Sequence, residues 1–338
     1  MGGKFKTLAR PIYSAGSVLC LHSVTTPEAP STDLLHVPLP ALKELVDGIR
    51  RYVEIVPLSE LVRRQMDGRS TAGLTALTFD DAYFALHWAV EQVFAPQSIP
   101  IAIFAVSDAL EAGSAYWWDR ISEVHERATS EQWGRFQAAC EIPDAYALER
   151  FGGDRFAQAR RFILAEHAGR LEPRAAAALT ALESDVGRRT AQRSMTMTEL
   201  ESLARFGCVE IGVHTQSHVV LPSLPDEEAM REIRECYRIL RERIPGAVPI
   251  LAIPFGLFDA NTASVAQRAG MDAALTLTGH SFFRSGRHGI PRHAVDRRTK
   301  LTRLLIRMTG VTEGFRRLAG RSPDDFPELP SPPSTSQD

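Results

Sequence analysis

Short, nearly continuous apolar runs rich in β-branched residues recur along this chain of 338 residues. The clearest are Ser17–Val24, Tyr52–Val56, Leu74–Phe79, Ile101–Val106, Cys208–Val213, Ile250–Phe255 and Ala274–Thr278. Runs of this length, apolar at successive positions rather than at alternate ones, suit strands buried on both faces. Between several of them the period lengthens to that of a helix. From Asp226 to Ile244, the residues Ala229, Ile233, Cys236, Tyr237, Leu240 and Ile244 fall on one helical face. Thr198, with Glu201 three residues on, reads as a capping box, and Gly207 as the stop of that helix. Strand and helix in alternation predict a parallel α/β fold. Seven strand-like runs suit closure into a barrel better than an open sheet.

From about Asp119 to Arg193 the rhythm changes to a stretch rich in Ala, Arg, Glu and Gln, without strand-like runs. It is expected to be a helical insertion, placed to cover a site at the barrel mouth. The division expected is therefore an extension over 1–16, one barrel unit over 17–320 interrupted at about 119–193, and a tail over 321–338. Pro323, Pro327, Pro330, Pro332 and Pro333 lie in that tail among Ser and acidic residues, a composition that does not build a core.

Composition narrows the class. With 44% hydrophobic residues the chain can bury a large core, and a net charge of −2 gives no electrostatic grip on nucleic acid. Cys20, Cys140, Cys208 and Cys236 form no C-x-x-C pair, and Cys20, Cys208 and Cys236 sit in apolar periodic segments, as buried thiols do. No apolar run reaches the roughly 20 residues of a membrane-spanning helix, and the first residues lack the apolar core of a signal peptide; a cytoplasmic protein is expected.

Two short stretches carry the chemistry. Asp80 and Asp81 follow the run Leu74–Phe79, and His214 and His218 follow Cys208–Val213. Loops at the carboxyl ends of parallel strands are where α/β barrels build their sites. Adjacent residues at a strand end point in different directions, so the two carboxylates can do different work; either could instead cap the next helix. If the segment after Val213 turns helical, His214 and His218 share a face and both rings reach one ion. One carboxylate and two imidazoles leave coordination positions open, as a catalytic metal requires, and the remaining carboxylate can take a proton from water.

The pattern T-F-D-D (Thr78–Asp81), I-x-x-F-x-V (Ile101–Val106), H-T-x-x-H (His214–His218) and P-F-G (Pro254–Gly256) resembles the polysaccharide deacetylase family, also known as the NodB-homology or carbohydrate esterase 4 family. Leu19–His22 is similar to the family's early strand ending in His. The resemblance runs from about Ser17 to Arg298 and implies a distorted (β/α)7 barrel. It implies Asp80 as general base, and Asp81, His214 and His218 as ligands of a divalent metal, usually Zn2+, with Co2+, Ni2+ or Mn2+ as substitutes. It also implies that the Phe255 N–H, presented by Pro254-Phe255-Gly256, helps hold an oxyanion, while Thr215 steadies the His loop.

The chain departs from the family pattern at several points. Ala82 stands where a Gly is usual, and the Arg that often precedes Pro254 is replaced by Leu251, Ala252 and Ile253. Arg292 is the candidate substitute. Ile290-Pro291-Arg292-His293 matches the late L-x-x-H motif with Ile for Leu, which makes His293 the expected general acid, with His280 and His288 as competitors and His22 lining the pocket.

Elsewhere, Tyr116, Trp117 and Trp118 are expected to pack at the start of the insertion rather than stack on sugar. Leu301, Leu304, Leu305 and Met308, interleaved with Lys300, Arg303 and Arg307, form a helix expected to dock on the barrel with its basic face in solvent. The function expected is metal-dependent removal of an N-acetyl group from an amino sugar. The alternatives are hydrolysis of a non-sugar amide in the same fold, or a catalytically silent carbohydrate-binding protein. The partner expected is a carbohydrate substrate.

Overall fold

The structure, a computed structural model, describes residue 13 and residues 15–143, 154–277 and 286–310. The Pro-rich tail, most of the N-terminal extension and His280 lie outside the described residues.

In chain order the strands are β1 Ser17–Leu21, β2 Ser23–Thr25, β3 His36–Pro38, β4 Glu54–Ile55, β5 Leu74–Phe79, β6 Ile101–Ala105, β7 Val209–Val213, β8 Ile250–Ala252, β9 Ala273–Thr276, β10 His288–Pro291 and β11 His293–Ala294. The main sheet runs β10-β9-β8-β7-β6-β5-β1-β11, and every pairing in it is parallel. β10 and β11 are one passage of chain bent at Arg292; the first half pairs with β9 and the second with β1, which closes the ring. Counting that passage once gives seven staves, the number expected for the barrel.

The membership differs from the apolar runs. Tyr52–Val56 yields only the two-residue β4, paired with the start of β5 and off the ring. The closing stave is β10–β11, whose His, Gly, Pro and Arg conceal it from a reading by hydrophobicity. Ser17–Val24 breaks at His22, and its second part pairs with β3 in a separate two-stranded sheet.

Side chains alternate between two faces along each stave. Val18, Ala76, Ala102, Phe104, Ile250, Ala252, Ala273, Leu275 and Ile290 fill the barrel interior. Leu19, Leu77, Phe79, Ile101, Ile103 and Leu251 face the surrounding helices. Gly212 makes room for the largest interior side chain: a Cβ there would lie 2.5 Å from the Phe104 ring.

The helix Asp226–Arg243 buries Ala229, Ile233, Cys236 and Leu240 as its period requires, while Tyr237 is only half-buried. The helix Met197–Ala204 is capped two residues before the expected Thr198. Thr-x-x-Glu occurs twice in register there, and Thr196 with Glu199 forms the box because Arg193 also pairs with Glu199 at 2.8 Å. The helix Leu301–Met308 docks through Leu304, Leu305 and Met308.

Between β6 and β7 the chain forms the helices Trp117–Val124, Ser130–Ala139, Arg155–Glu166 and Pro173–Val186. They bury a cluster of their own that includes Ile121, Trp133, Phe136, Phe162 and Leu179. Among the described residues, no helix is long and apolar enough to cross a membrane.

Candidate active site

The inward alternation Leu74-Ala76-Thr78 continues to Asp80, which therefore points into the barrel mouth. Likewise Gly212 leads to His214, and Ile290 to Arg292. All three are buried, Asp80 at 3%, His214 at 1% and Arg292 at 4% exposure. Asp81 turns away from the strand at φ 70° and Ala82 follows at φ 46°. A left-handed pair explains why Gly is usual at the position of Ala82; here a methyl group holds that conformation under strain.

Beyond Val213 the chain does not become helical, contrary to the condition attached to the i, i+4 spacing. It forms a loop in which Thr215 (φ 66°) and His218 (φ 55°) are both left-handed. The Thr215 hydroxyl accepts from the His218 N–H at 3.0 Å, a short turn that brings the second imidazole back over the first. The two rings lie edge to face, with centroids 4.8 Å apart.

Asp81 Oδ1 lies 3.3 Å from His214 Nε2 and 3.2 Å from His218 Nε2. His214 Nδ1 sits 2.8 Å from the Ala252 carbonyl, so it carries the proton and, in the neutral ring, Nε2 presents a lone pair to Asp81. Asp81 Oδ1 is buried without a hydrogen-bond partner. The Asp81 oxygen and the Nε2 atoms of both rings converge on one point; with both Nε2 atoms unprotonated, their lone pairs repel unless a cation sits among them. This donor set fits a divalent metal of the nitrogen- and oxygen-loving kind. Burial acts to raise the Asp81 carboxyl, but His214 and His218 outweigh it and hold it well below its ordinary value.

Asp80 has a different environment. Arg292 donates from Nη1 to Oδ1 at 2.6 Å and from Nη2 to Oδ2 at 2.7 Å, a two-pronged grip. Nη1 also donates to the Thr78 hydroxyl at 3.2 Å, and the guanidinium rests 5.8 Å above the Phe104 ring that fills the barrel. Cys20 Sγ donates to Asp80 Oδ2 at 3.4 Å, and burial keeps that thiol protonated by raising its pKa well above its ordinary value. Burial opposes ionisation of Asp80, yet Arg292, then His214, pull its pKa down to about 2. Arg292, expected as the substitute for the Arg missing before Pro254, is thus in contact with Asp80.

His22 ends β1 at the same mouth. One of its ring nitrogens lies within 4.8 Å of ligand atoms of both Cys20 and Asp80, and its Nδ1 is buried without a partner. His293 is not brought to this cluster. It is in register with Leu19, whose side chain faces the outer helices, so the same alternation that turns Arg292 inward turns His293 outward. Burial, followed by the charge of Arg307, lowers its pKa to about 4. His288 lies at the opposite end of β10, with Nε2 2.8 Å from the Met271 carbonyl.

Pro254 is buried, and Phe255, at φ 58°, sets its ring 4.5 Å from that of His218. Tyr116, Trp117 and Trp118 pack as expected, but two of them wall the site itself. The Tyr116 hydroxyl donates to the Asp81 carbonyl at 2.7 Å, and the Trp118 ring lies 4.6 Å from that of His218. Trp118 Nε1 donates to the Tyr83 hydroxyl, which donates in turn to Asp119 at 2.6 Å; burial raises the pKa of that carboxyl well above its ordinary value. The aromatic spacing W-W-D beside a helix start held no sign of these partners.

Fold and site together define a parallel α/β barrel with an Asp-His-His cluster and a second, Arg-bound Asp at its mouth. A family model described as polysaccharide deacetylase matches residues 162–274, a span that includes His214 and His218 and stops short of Asp80 and Asp81. A search of curated proteins finds no match.

Among solved structures, the chain is similar to the Streptococcus pyogenes deacetylase PplD in complex with acetate, at 12% identity and TM-score 0.54, covering 87% of this chain and 97% of that one. It is similar to IcaB from Ammonifex degensii, at 14% identity and TM-score 0.54, covering 88% and 97%. It is also similar to the deacetylase domain of BpsB from Bordetella bronchiseptica, at 16% identity and TM-score 0.50, covering 84% and 96%. The family model is that of the polysaccharide deacetylases, which the motifs resemble, PplD and the BpsB domain are described as deacetylases, and the shared fold is the distorted NodB-like barrel.

Proposed function

We propose that this protein is a metal-dependent hydrolase that removes the N-acetyl group from an amino sugar in a glycan or glycan precursor. The observation that carries the reading is the buried, unpartnered Asp81 oxygen facing the Nε2 atoms of His214 and His218, next to a second carboxylate gripped by Arg292. The family match and the deacetylase neighbours support a carbohydrate substrate class.

Asp81, His214 and His218 would hold the ion. When bound, a divalent ion of this kind supplies Lewis acidity and makes water a nucleophile near neutral pH. Asp80 accepts the proton of the attacking water. Its low pKa keeps it ionised at neutral pH, and the Arg292 fork fixes the direction of its free lone pairs. The Phe255 N–H, held by the left-handed turn after Pro254, donates to the oxygen on which negative charge develops. His22 delivers a proton to the departing amine, because among the described residues it is the imidazole at the mouth that is left over once His214 and His218 are assigned and His293 is turned away.

Acetate release from N-acetylglucosamine oligomers tests the reading. Asp80→Asn should bind metal like the wild type and release little acetate. Equal turnover by wild type and Asp80→Asn, or no release from any N-acetylated sugar by a metal-loaded wild type, would refute it.

A further inference from the structure

The loop that carries both imidazoles is held from outside the barrel. Glu232, in the helix Asp226–Arg243, is a buried carboxylate outside the Asp81, His214 and His218 cluster. Its Oε2 accepts from the Ser217 N–H at 2.9 Å and its Oε1 from the Ser217 hydroxyl at 2.7 Å. Its backbone carbonyl accepts from the Gln216 N–H at 2.9 Å. Glu232 therefore anchors the residues between Thr215 and His218, the two left-handed positions that no Gly eases.

The helical insertion completes this anchor. Arg170, just past the helix Arg155–Glu166, donates to Glu232 Oε1 at 3.0 Å and to Glu228 at 3.1 Å. The Val220 N–H donates to the Ala168 carbonyl at 2.9 Å. Gly169, at φ 81°, lies so close that an added Cβ would meet the Phe255 ring at 2.8 Å and the His218 carbonyl at 3.5 Å. The insertion thus meets the chain just past the His loop through a backbone bond, Phe255 beside it through close packing, and its anchor Glu232 through an ion pair.

Resting on the proposed function, we infer that Arg170 and Glu232 are positioning residues through which the helical insertion sets metal affinity at Asp81, His214 and His218. The reason is geometric. His218 Nε2 meets Asp81 only while a strained turn is kept, and that turn is kept by the Ser217–Glu232 bonds. Loss of the negative charge at Glu232 leaves the Ser217 donors poorly matched, and loss of Arg170 leaves a buried carboxylate without its cation. An insertion built in this way is part of the metal centre, not a detachable cover.

The test is Zn2+ affinity by chelator competition on the full chain, together with the visible spectrum of the Co2+-loaded protein. Glu232→Gln and Arg170→Ala should each weaken Zn2+ binding by about 10- to 100-fold, the range seen when groups supporting metal ligands are lost. The Co2+ bands should shift in the same variants, and Arg170→Lys should restore most of the affinity. Arg120→Ala removes an ion pair inside the insertion, with Glu183, that does not reach the His loop, and it should leave affinity and spectrum unchanged.

Should Glu232→Gln not fold, Arg170→Ala decides alone, since Arg170 is 38% exposed and its removal leaves the Ser217 bonds in place. Wild-type affinity and spectrum in Arg170→Ala, or equal weakening in Arg120→Ala, would overturn the inference while leaving the proposed function intact. A wild type that binds no metal would overturn both.

Discussion

Replacing Arg292 with Met isolates the interaction that distinguishes Asp80 from Asp81. Met nearly matches the volume but leaves a fully buried carboxylate without its cation. The pair brings the Asp80 pKa from an ordinary 3.8 to about 2, despite burial that acts the other way. A shift of about 2 units corresponds to roughly 2–3 kcal/mol favouring the folded, ionised state. Without Arg292 that gain is lost and burial pushes the pKa above its ordinary value, so the cost at neutral pH should approach the roughly 3–5 kcal/mol typical of breaking a buried pair.

The sign of the pH dependence follows from the same shifts. In the wild type the Asp80 contribution is fully present above its unfolded pKa and is lost as pH falls toward the folded value of about 2. In Arg292→Met the folded pKa is the higher one, so falling pH relieves the burden. The stability gap between the two proteins should be widest near neutral pH and narrow as pH drops. Urea unfolding of the metal-free proteins at a series of pH values measures it, and adding Asp80→Asn to Arg292→Met should recover much of the loss. A gap below about 1 kcal/mol, the scale of an exposed pair, or a gap independent of pH, would refute the assignment.

Three further outcomes are expected. His22→Ala should lower turnover on an N-acetylated sugar by about 10²- to 10⁴-fold, as for loss of a general acid, yet act nearly normally on an ester with a good leaving group, whereas His293→Ala should match the wild type on both. Steady-state kinetics with the two substrates separate these cases. Ala82→Gly relieves a left-handed Ala worth about 1–2 kcal/mol and gives up about 0.8 kcal/mol of buried methyl, so it should be no less stable than the wild type in a thermal melt; a clear loss would contradict the strain at Ala82. Asp81→Asn should lose metal in a chelator competition, whereas Asp80→Asn should keep it; metal lost by Asp80→Asn and kept by Asp81→Asn would reverse their roles, and metal retained by both would contradict Asp81 as a ligand.

Much of this was legible in the sequence because it is local. Thr78-Phe79-Asp80-Asp81 and His214 to His218 lie at strand ends, and strand ends in a parallel barrel converge whatever the loops do. Arg292 was readable as a substitute because an Arg was missing elsewhere, but its two-pronged grip on Asp80 depends on a chain bend that composition does not reveal. The orientation of His293 was not legible because the motif fixes spacing and not direction. One residue separates an inward side chain from an outward one, and only the register of β11 with β1 decides it. The closing stave was hidden for a related reason: a short strand carrying His, Pro and Arg at a site has little apolar signature. The anchoring of the His loop by Glu232 and Arg170 was out of reach, since it joins an insertion, a loop and a helix that are distant in sequence and share no motif.

The most direct measurement is an anomalous difference map from crystals of the protein loaded with Zn2+, collected above and below the zinc edge. A single strong peak among Asp81, His214 and His218, with Asp80 outside the coordination shell and still held by Arg292, is the result expected. A peak at Cys20, His22 and Asp80 instead, or none at the barrel mouth, would contradict the account.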